Sequence, residues 1–231
     1  MLDINIHRNI LINILKDVFT DFEIAPYLGF KGGTAAMLFY NLPRFSVDLD
    51  FDLLNKDKEE IVYERVRSIL ENYGNVKAQQ KRYSLFFLLS YKEKLHMAQN
   101  IKVEINKRQF SSDYEIKHFL GIPMKVMVQK DMVAHKFVAM YERIGKTNRD
   151  IFDIWFFLNN HWPVNEGIIE NRTGLKYKEF LKKCIDSLQQ VNNKKILSGI
   201  GELLDEKQKA WVKANLINET IFQLKLLLNS H

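Results

Sequence analysis

Apolar residues recur at helical spacing over residues 4–20, at Ile6, Ile10, Leu11, Leu15 and Phe19, and predict a first helix. A short second helix is predicted over residues 33–41, opening at a glycine pair. Residues 44–54 then alternate. Phe45, Val47, Leu49, Phe51 and Leu53 fall on one side, and Ser46, Asp48, Asp50 and Asp52 on the other, which is the period of a strand. A helix follows over 58–73, stopped by Gly74. Residues 83–91 (YSLFFLLSY) and 101–106 (IKVEIN) read as two more strands, and 125–128 as a short one. After Pro123 the period becomes helical, over 129–143, 148–159, 177–190 and 206–228. The pattern predicts an α+β, mixed α/β fold: a lobe with a small mixed sheet over residues 1–123, followed by a helical lobe over 124–231.

Composition narrows the class. The chain has 231 residues, 46% hydrophobic and 12% aromatic, enough to bury a core. One cysteine, Cys184, excludes an internal disulfide and any multi-cysteine metal site, as suits a reducing cytosol. The N-terminal stretch MLDINIHRNILINILKDVF has scattered charges and no small-residue cleavage site, and no run of about 18 apolar residues occurs. A cytoplasmic protein with no membrane segment is expected. The net charge of +6 permits a polyanionic partner such as RNA or a nucleotide, without requiring one.

The stretch FKGGTAAMLFYNLPRFSVDLDFDLL carries the candidate chemistry. Acidic residues are poor strand formers, and like charges on one strand face repel. Asp48 and Asp50 would lie roughly 7 Å apart on one face. A cation between them relieves the repulsion, and hard divalent ions such as Mg²⁺ are often held by one or two carboxylates plus substrate phosphates. Gly32 and Gly33 let backbone amides approach a phosphate, Thr34 begins a helix whose N-terminus favours an anion, and Lys31 adds positive charge. The bland alternative is a solvated acidic face, and Asp52 is assigned to it, solvated or paired with a basic residue. No GxxxxGK[ST] or HExxH occurs, so neither a P-loop nor that zinc motif is present.

The stretch GGTAAMLFYNLPRFSVDLDF resembles the first motif of the nucleotidyltransferase superfamily, a glycine pair followed by an hDhDh strand. With QKDMVAHKFVAMYER and TNRDIFDIWFF, the pattern is similar to the AbiEii/AbiGii-type toxins of bacterial abortive-infection and type IV toxin–antitoxin systems. These motifs span roughly residues 25–160, with a helical tail after them.

The resemblance implies a metal-dependent nucleotidyltransferase that uses an NTP to modify an acceptor hydroxyl. It implies Mg²⁺ or Mn²⁺ as cofactor, tRNA or other RNA as acceptor, and a cognate antitoxin as partner. Gly32, Gly33 and Thr34 would hold the triphosphate, and Asp48 and Asp50 the metal. Glu104 stands where many superfamily members carry a third carboxylate; its alternative is a strand residue paired with Lys102 or Lys107. Arg44 would approach phosphate and Ser46 the acids; their alternative is strand-entry polarity. Lys136 would contact phosphates or steady the acids, although a lysine among Val133, Ala134, Phe137 and Ala139 can also snorkel. Asp150 and Asp153 would line the site and orient Lys136, with Arg149 on phosphate or an aspartate. Helix capping and charge pairing remain open for these three. His135 reads as structural. Two other functions stay open: transfer to a protein or small molecule, and a catalytically silent nucleotide-binding regulatory protein.

Overall fold

The computed structural model describes residues 3–91 and 99–230, which divide into two compact units. The first draws on Met1–Asn41, Ser46–Gln109 and Asp113–Met127; the second on Leu42–Phe45, Phe110–Ser112 and Val128–His231.

The first unit is a sheet with helices. Its strands are β1 (Leu28–Lys31), β2 (Leu49–Leu53), β3 (Asn75–Gln80), β4 (Ser84–Tyr91), β5 (Gln99–Asn106), β6 (Tyr114–Phe119) and β7 (Ile122–Met127). Among the described residues they order as β3-β4-β5-β2-β1-β7-β6 in one mixed seven-stranded sheet. β2 runs parallel to β5 and β1 parallel to β7; the other pairs are antiparallel. Its helices are α1 (Ile4–Thr20), α2 (Gly32–Phe39) and α3 (Glu59–Glu71). The Asp3 carboxylate starts α1 by accepting from the amides of Asn5 and Ile6, two of the donors a helix start leaves unpaired. α1 buries Leu11, Ile14, Leu15 and Val18, and α3 buries Val62, Val66 and Leu70, each at helical spacing.

Alternation splits the sheet into two faces. Leu49, Phe51 and Leu53, Leu85, Phe87 and Leu89, and Ile101, Val103 and Ile105 are buried on one face. Phe19, Phe30 and Phe51 pack their rings there, with centroids 5.3–6.3 Å apart. The opposite face carries Asp50 and Asp52 of β2, Lys102 and Glu104 of β5, and Phe86 and Leu88 of β4.

One predicted strand is shorter than its pattern. β2 begins at Leu49, so Asp48 sits in the loop just before it and residues 44–48 are not in the sheet. Their backbone groups bond elsewhere: the Phe45 amide donates to Leu203 O (3.0 Å), His7 Nε2 reaches Val47 O (3.0 Å), and Thr34 Oγ1 donates to Asp48 O. Sequence alternation continues through this segment, but its hydrogen-bond partners do not belong to a ladder.

The second unit is helical: α4 (Gln129–Arg143), α5 (Arg149–Asn159), α6 (Glu166–Thr173), α7 (Tyr177–Gln189) and α8 (Glu206–Ser230). α5 and α7 both pack on α8, and α4 packs on α5 and α6. Phe137 of α4 meets Phe180 of α7 edge-on, and Phe157 stacks on Trp162 at 4.3 Å. Among the described residues no helix is long and apolar enough to cross a membrane.

Candidate active site

In the first unit, the glycine pair and the acids meet at one place. β1 ends at Lys31, and α2 starts at Gly32 with Lys31 as N-cap. Gly32 adopts a φ of 80°, a conformation open to glycine and strained for other residues. A Cβ there would also stand 2.5 Å from Asp50 Oδ2. The glycine is therefore required twice, by its backbone and by the closeness of the turn to the carboxylate. The first amides of α2 have no helical acceptor and carry the positive end of the helix dipole. Thr34 is buried; its hydroxyl donates to Asp48 O and exchanges a hydrogen bond with Ser46 Oγ (3.0 Å). Thr34 and Ser46 thereby fasten the loop that carries Asp48 to the first turn of α2.

Asp50 and Glu104 are register partners on the parallel strands β2 and β5, so their side chains stand side by side on one face. Adjacent like charges repel. The Lys102 ammonium relieves this, 3.6 Å from Asp50 Oδ1 and 3.1 Å from Glu104 Oε2. Burial works against the Lys102 charge, but Asp50, Asp48 and Glu104 outweigh it and hold its pKa above the ordinary lysine value. Burial likewise opposes the Glu104 charge, and Lys102, with help from Ser84 and Lys81, lowers its pKa regardless. The field of all three acids thus converges on one cation.

Asp52 has a different setting. It is buried, and it accepts from Lys31 Nζ (2.5 Å), Asn106 Nδ2 (2.6 Å) and Tyr114 OH (2.5 Å). A side chain at Gly29 would run into the Tyr114 ring, so that glycine lets the tyrosine cross β1 to reach Asp52. Lys31, expected to add charge beside the glycine turn, is instead committed to Asp52. The expected basic partner of Asp52 is found, but the residue is buried rather than solvated. His7 of α1 completes the surroundings: its Nδ1 lies 2.7 Å from Tyr91 OH, and Nε2 donates to Val47 O, the carbonyl just before Asp48. Burial lowers the His7 pKa against the opposing pull of that carbonyl and of Asp48, which keeps the ring neutral.

The second unit gathers the remaining sequence candidates. Arg44 clasps Asp153 with a two-pronged contact, Nε to Oδ1 at 2.5 Å and Nη2 to Oδ2 at 2.7 Å, and its Nη1 donates to Phe45 O. Lys136 lies 2.7 Å from Asp153 and 3.0 Å from Asp150, and Arg143 lies 2.9 Å from the other oxygen of Asp150. Both aspartates are fully buried, while Lys136 keeps 11% of its side chain exposed. Burial opposes ionisation of Asp153, but Arg44 and Lys136 hold its carboxyl well below the usual carboxylate range. Asp150 and Asp153 are three apart on α5 and face Lys136 of α4 together. Arg149 is half-buried at the first position of α5, where it flanks Asp150 in sequence.

Most of these residues stand out in the sequence, but Lys102, Arg143 and His7 do not. Lys102 entered only as an alternative partner of Glu104, although two-residue spacing on a strand already puts both on one face. Arg143 stands seven residues after Lys136 on α4, two helical turns along the same face. His7 carries no local signal, because its partner Val47 is 40 residues away. His135 is held between two side chains. Arg172 Nη1 lies 2.8 Å from its Nδ1, so the ring proton sits on Nε2 and points to Ser112 Oγ at 2.7 Å.

A divalent cation fits the donors of the first unit. Asp48, Asp50 and Glu104 supply hard oxygens, the glycine turn leaves no side chain against Asp50, and an ammonium already lies in their combined field. Among the described residues no three acidic, histidine or cysteine side chains close into a ready metal cluster. Two carboxylates with substrate phosphates are a common Mg²⁺ arrangement, so closure by protein groups alone is not needed.

A family model described as nucleotidyl transferase AbiEii toxin, type IV TA system, matches residues 13–214. A search of curated proteins gave no match. Among solved structures the chain is similar to JHP933 from Helicobacter pylori, with 20% identity, TM-score 0.58, and 100% of this chain and 97% of that one covered. It is also similar to MenT4, a nucleotidyltransferase toxin from Mycobacterium tuberculosis H37Rv, with 18% identity, TM-score 0.55, and 94% and 82% covered. At these identities the two structures establish a shared fold.

Proposed function

Given that the chain belongs to the nucleotidyl transferase AbiEii toxin family of type IV toxin–antitoxin systems, we propose that it moves a nucleotidyl group from an NTP to an acceptor hydroxyl with a divalent cation, and that the acceptor is tRNA. The observation that carries this reading is the contact between the Gly32 turn and the Asp50 carboxylate. It puts amide donors suited to phosphate directly beside acids suited to Mg²⁺ or Mn²⁺.

In this reading the amides of Gly32, Gly33 and Thr34 hold the triphosphate, and Asp48, Asp50 and Glu104 hold the cation. The bound cation would supply charge neutralisation on the α-phosphate and on the leaving pyrophosphate. The acceptor oxygen bonds to the α-phosphorus as the bond to the β-phosphate bridging oxygen breaks; the hydroxyl proton leaves to solvent, and pyrophosphate departs. Ser46 and the Thr34 hydroxyl hold the Asp48 loop, and His7 fixes the carbonyl before Asp48. Lys136 is oriented by Asp150 and Asp153 and keeps its ammonium partly exposed, as a phosphate-contacting role needs. Arg44 acts through Asp153, which absorbs its guanidinium, and Arg149 adds positive charge at the start of α5. The net charge of +6 favours a polyanionic acceptor, and the family supports an antitoxin partner.

The test is incubation with each α-labelled NTP, Mg²⁺ and total RNA, comparing the protein with its Asp48→Ala variant and checking the fold by circular dichroism. Label appearing on tRNA with the parent chain alone supports the reading. Label on protein with bare RNA overturns the tRNA assignment, and no label transfer with any NTP overturns the enzymatic one.

A further inference from the structure

The Lys102 ammonium pairs with the carboxylates of Asp50 and Glu104, and no step of the proposed reaction uses it. Lys102 precedes Glu104 by two residues on β5, so both side chains rise from the same face. Asp50 stands opposite Glu104 on β2. The lysine chain folds along this face and brings Nζ to 3.1 Å from Glu104 and 3.6 Å from Asp50. All three side chains are partly exposed, at 28% for Lys102, 31% for Asp50 and 37% for Glu104, so an incoming ion has access to the same oxygens.

We propose that Lys102 is an internal competitor for the divalent cation: its ammonium pairs with Asp50 and Glu104 until the ion displaces it. This rests on the assignment of those acids to the metal made above. The physical reason is direct. Two opposed carboxylates would repel in the absence of a counter-charge, and the lysine supplies one that is tethered and always present. A dication that takes the same oxygens must push a unit positive charge away, and that cost weakens its binding. The lysine thus keeps the acid pair arranged before loading and lowers its affinity for the free ion. An ion arriving with a triphosphate brings compensating negative charge and meets a smaller penalty. The site is thereby biased towards the metal–nucleotide complex over the bare metal.

Titration of Mn²⁺ into the full chain without nucleotide, with free Mn²⁺ followed by electron paramagnetic resonance, tests this. The proteins compared are the parent chain, Lys102→Gln, Lys102→Arg, Asp50→Asn and the Lys102→Gln/Asp50→Asn double variant, each checked for an unchanged circular dichroism spectrum. Lys102→Gln is expected to tighten Mn²⁺ binding by about tenfold or more. Lys102→Arg, which keeps the charge, should stay near the parent, and the gain should vanish in the double variant. A lysine that only supports the strand would shift melting temperature but leave Mn²⁺ affinity alone. Asp50-dependent binding that is unchanged by Lys102→Gln overturns the role given to Lys102. Absence of Asp50-dependent binding from both the parent and Lys102→Gln, repeated with a non-hydrolysable NTP present, overturns the metal assignment itself.

Discussion

At Gly32 a single hydrogen stands where any other residue would place a carbon 2.5 Å from Asp50 Oδ2. Gly32→Ala must strain a positive-φ backbone and displace the carboxylate, so a stability loss of about 1–2 kcal/mol is expected. Label transfer should fall far more than stability, a contrast read by comparing thermal melts with turnover. Asp153 makes the converse point, that a residue in a family-like motif can be held by structure first. Asp153→Ala leaves buried Arg44 without its carboxylate and Lys136 with Asp150 alone, and should cost about 3 kcal/mol in urea denaturation. Its pH dependence has a definite sign. The folded pKa lies below the unfolded value, so the carboxylate contributes fully above pH ~4. That contribution is lost as pH falls below this value towards the folded pKa. The stability gap between the parent and Asp153→Asn should therefore narrow below pH ~4 and hold steady from about pH 5 to 7.

The elements show which signals the sequence carries. α1 and α4 match their periodic patterns to the residue, because amphipathic helices write their burial into local spacing. β1, β3 and β6 were not anticipated. β1 is four residues with a glycine inside it, and β3, NVKAQQ, is an edge strand that buries none of its residues, so neither shows an apolar alternation. β2 is shorter than its pattern because alternation persists through residues 44–48 while the hydrogen bonds go elsewhere. α6 has too few apolar residues to set a period. The β1–β2–β6 junction offers a test at this scale. Tyr114→Phe removes one of the donors to buried Asp52 and should cost about 1–2 kcal/mol. The loss should be additive with a distant change such as Asp3→Ala, the N-cap of α1, expected to cost about 1 kcal/mol in the same melts.

For the whole molecule, the sequence showed the class of fold and the residues around which chemistry collects, because glycines, paired acids and isolated lysines stand out against an apolar background. The charge partners were legible only where spacing was local, as for Lys102 with Glu104. Lys31 with Asp52, Arg44 with Asp153 and His7 with Val47 are set by tertiary proximity, and no periodicity encodes them. The account depends on one joint act, a triphosphate at the Gly32 turn together with a divalent ion on the neighbouring acids. Calorimetric titration of a non-hydrolysable NTP, with and without Mg²⁺, into the parent chain and Asp50→Asn measures that act directly. Binding that requires Mg²⁺ in the parent and weakens by about tenfold or more in the folded Asp50→Asn variant is predicted. Equal binding by both proteins, indifferent to Mg²⁺, would contradict the account.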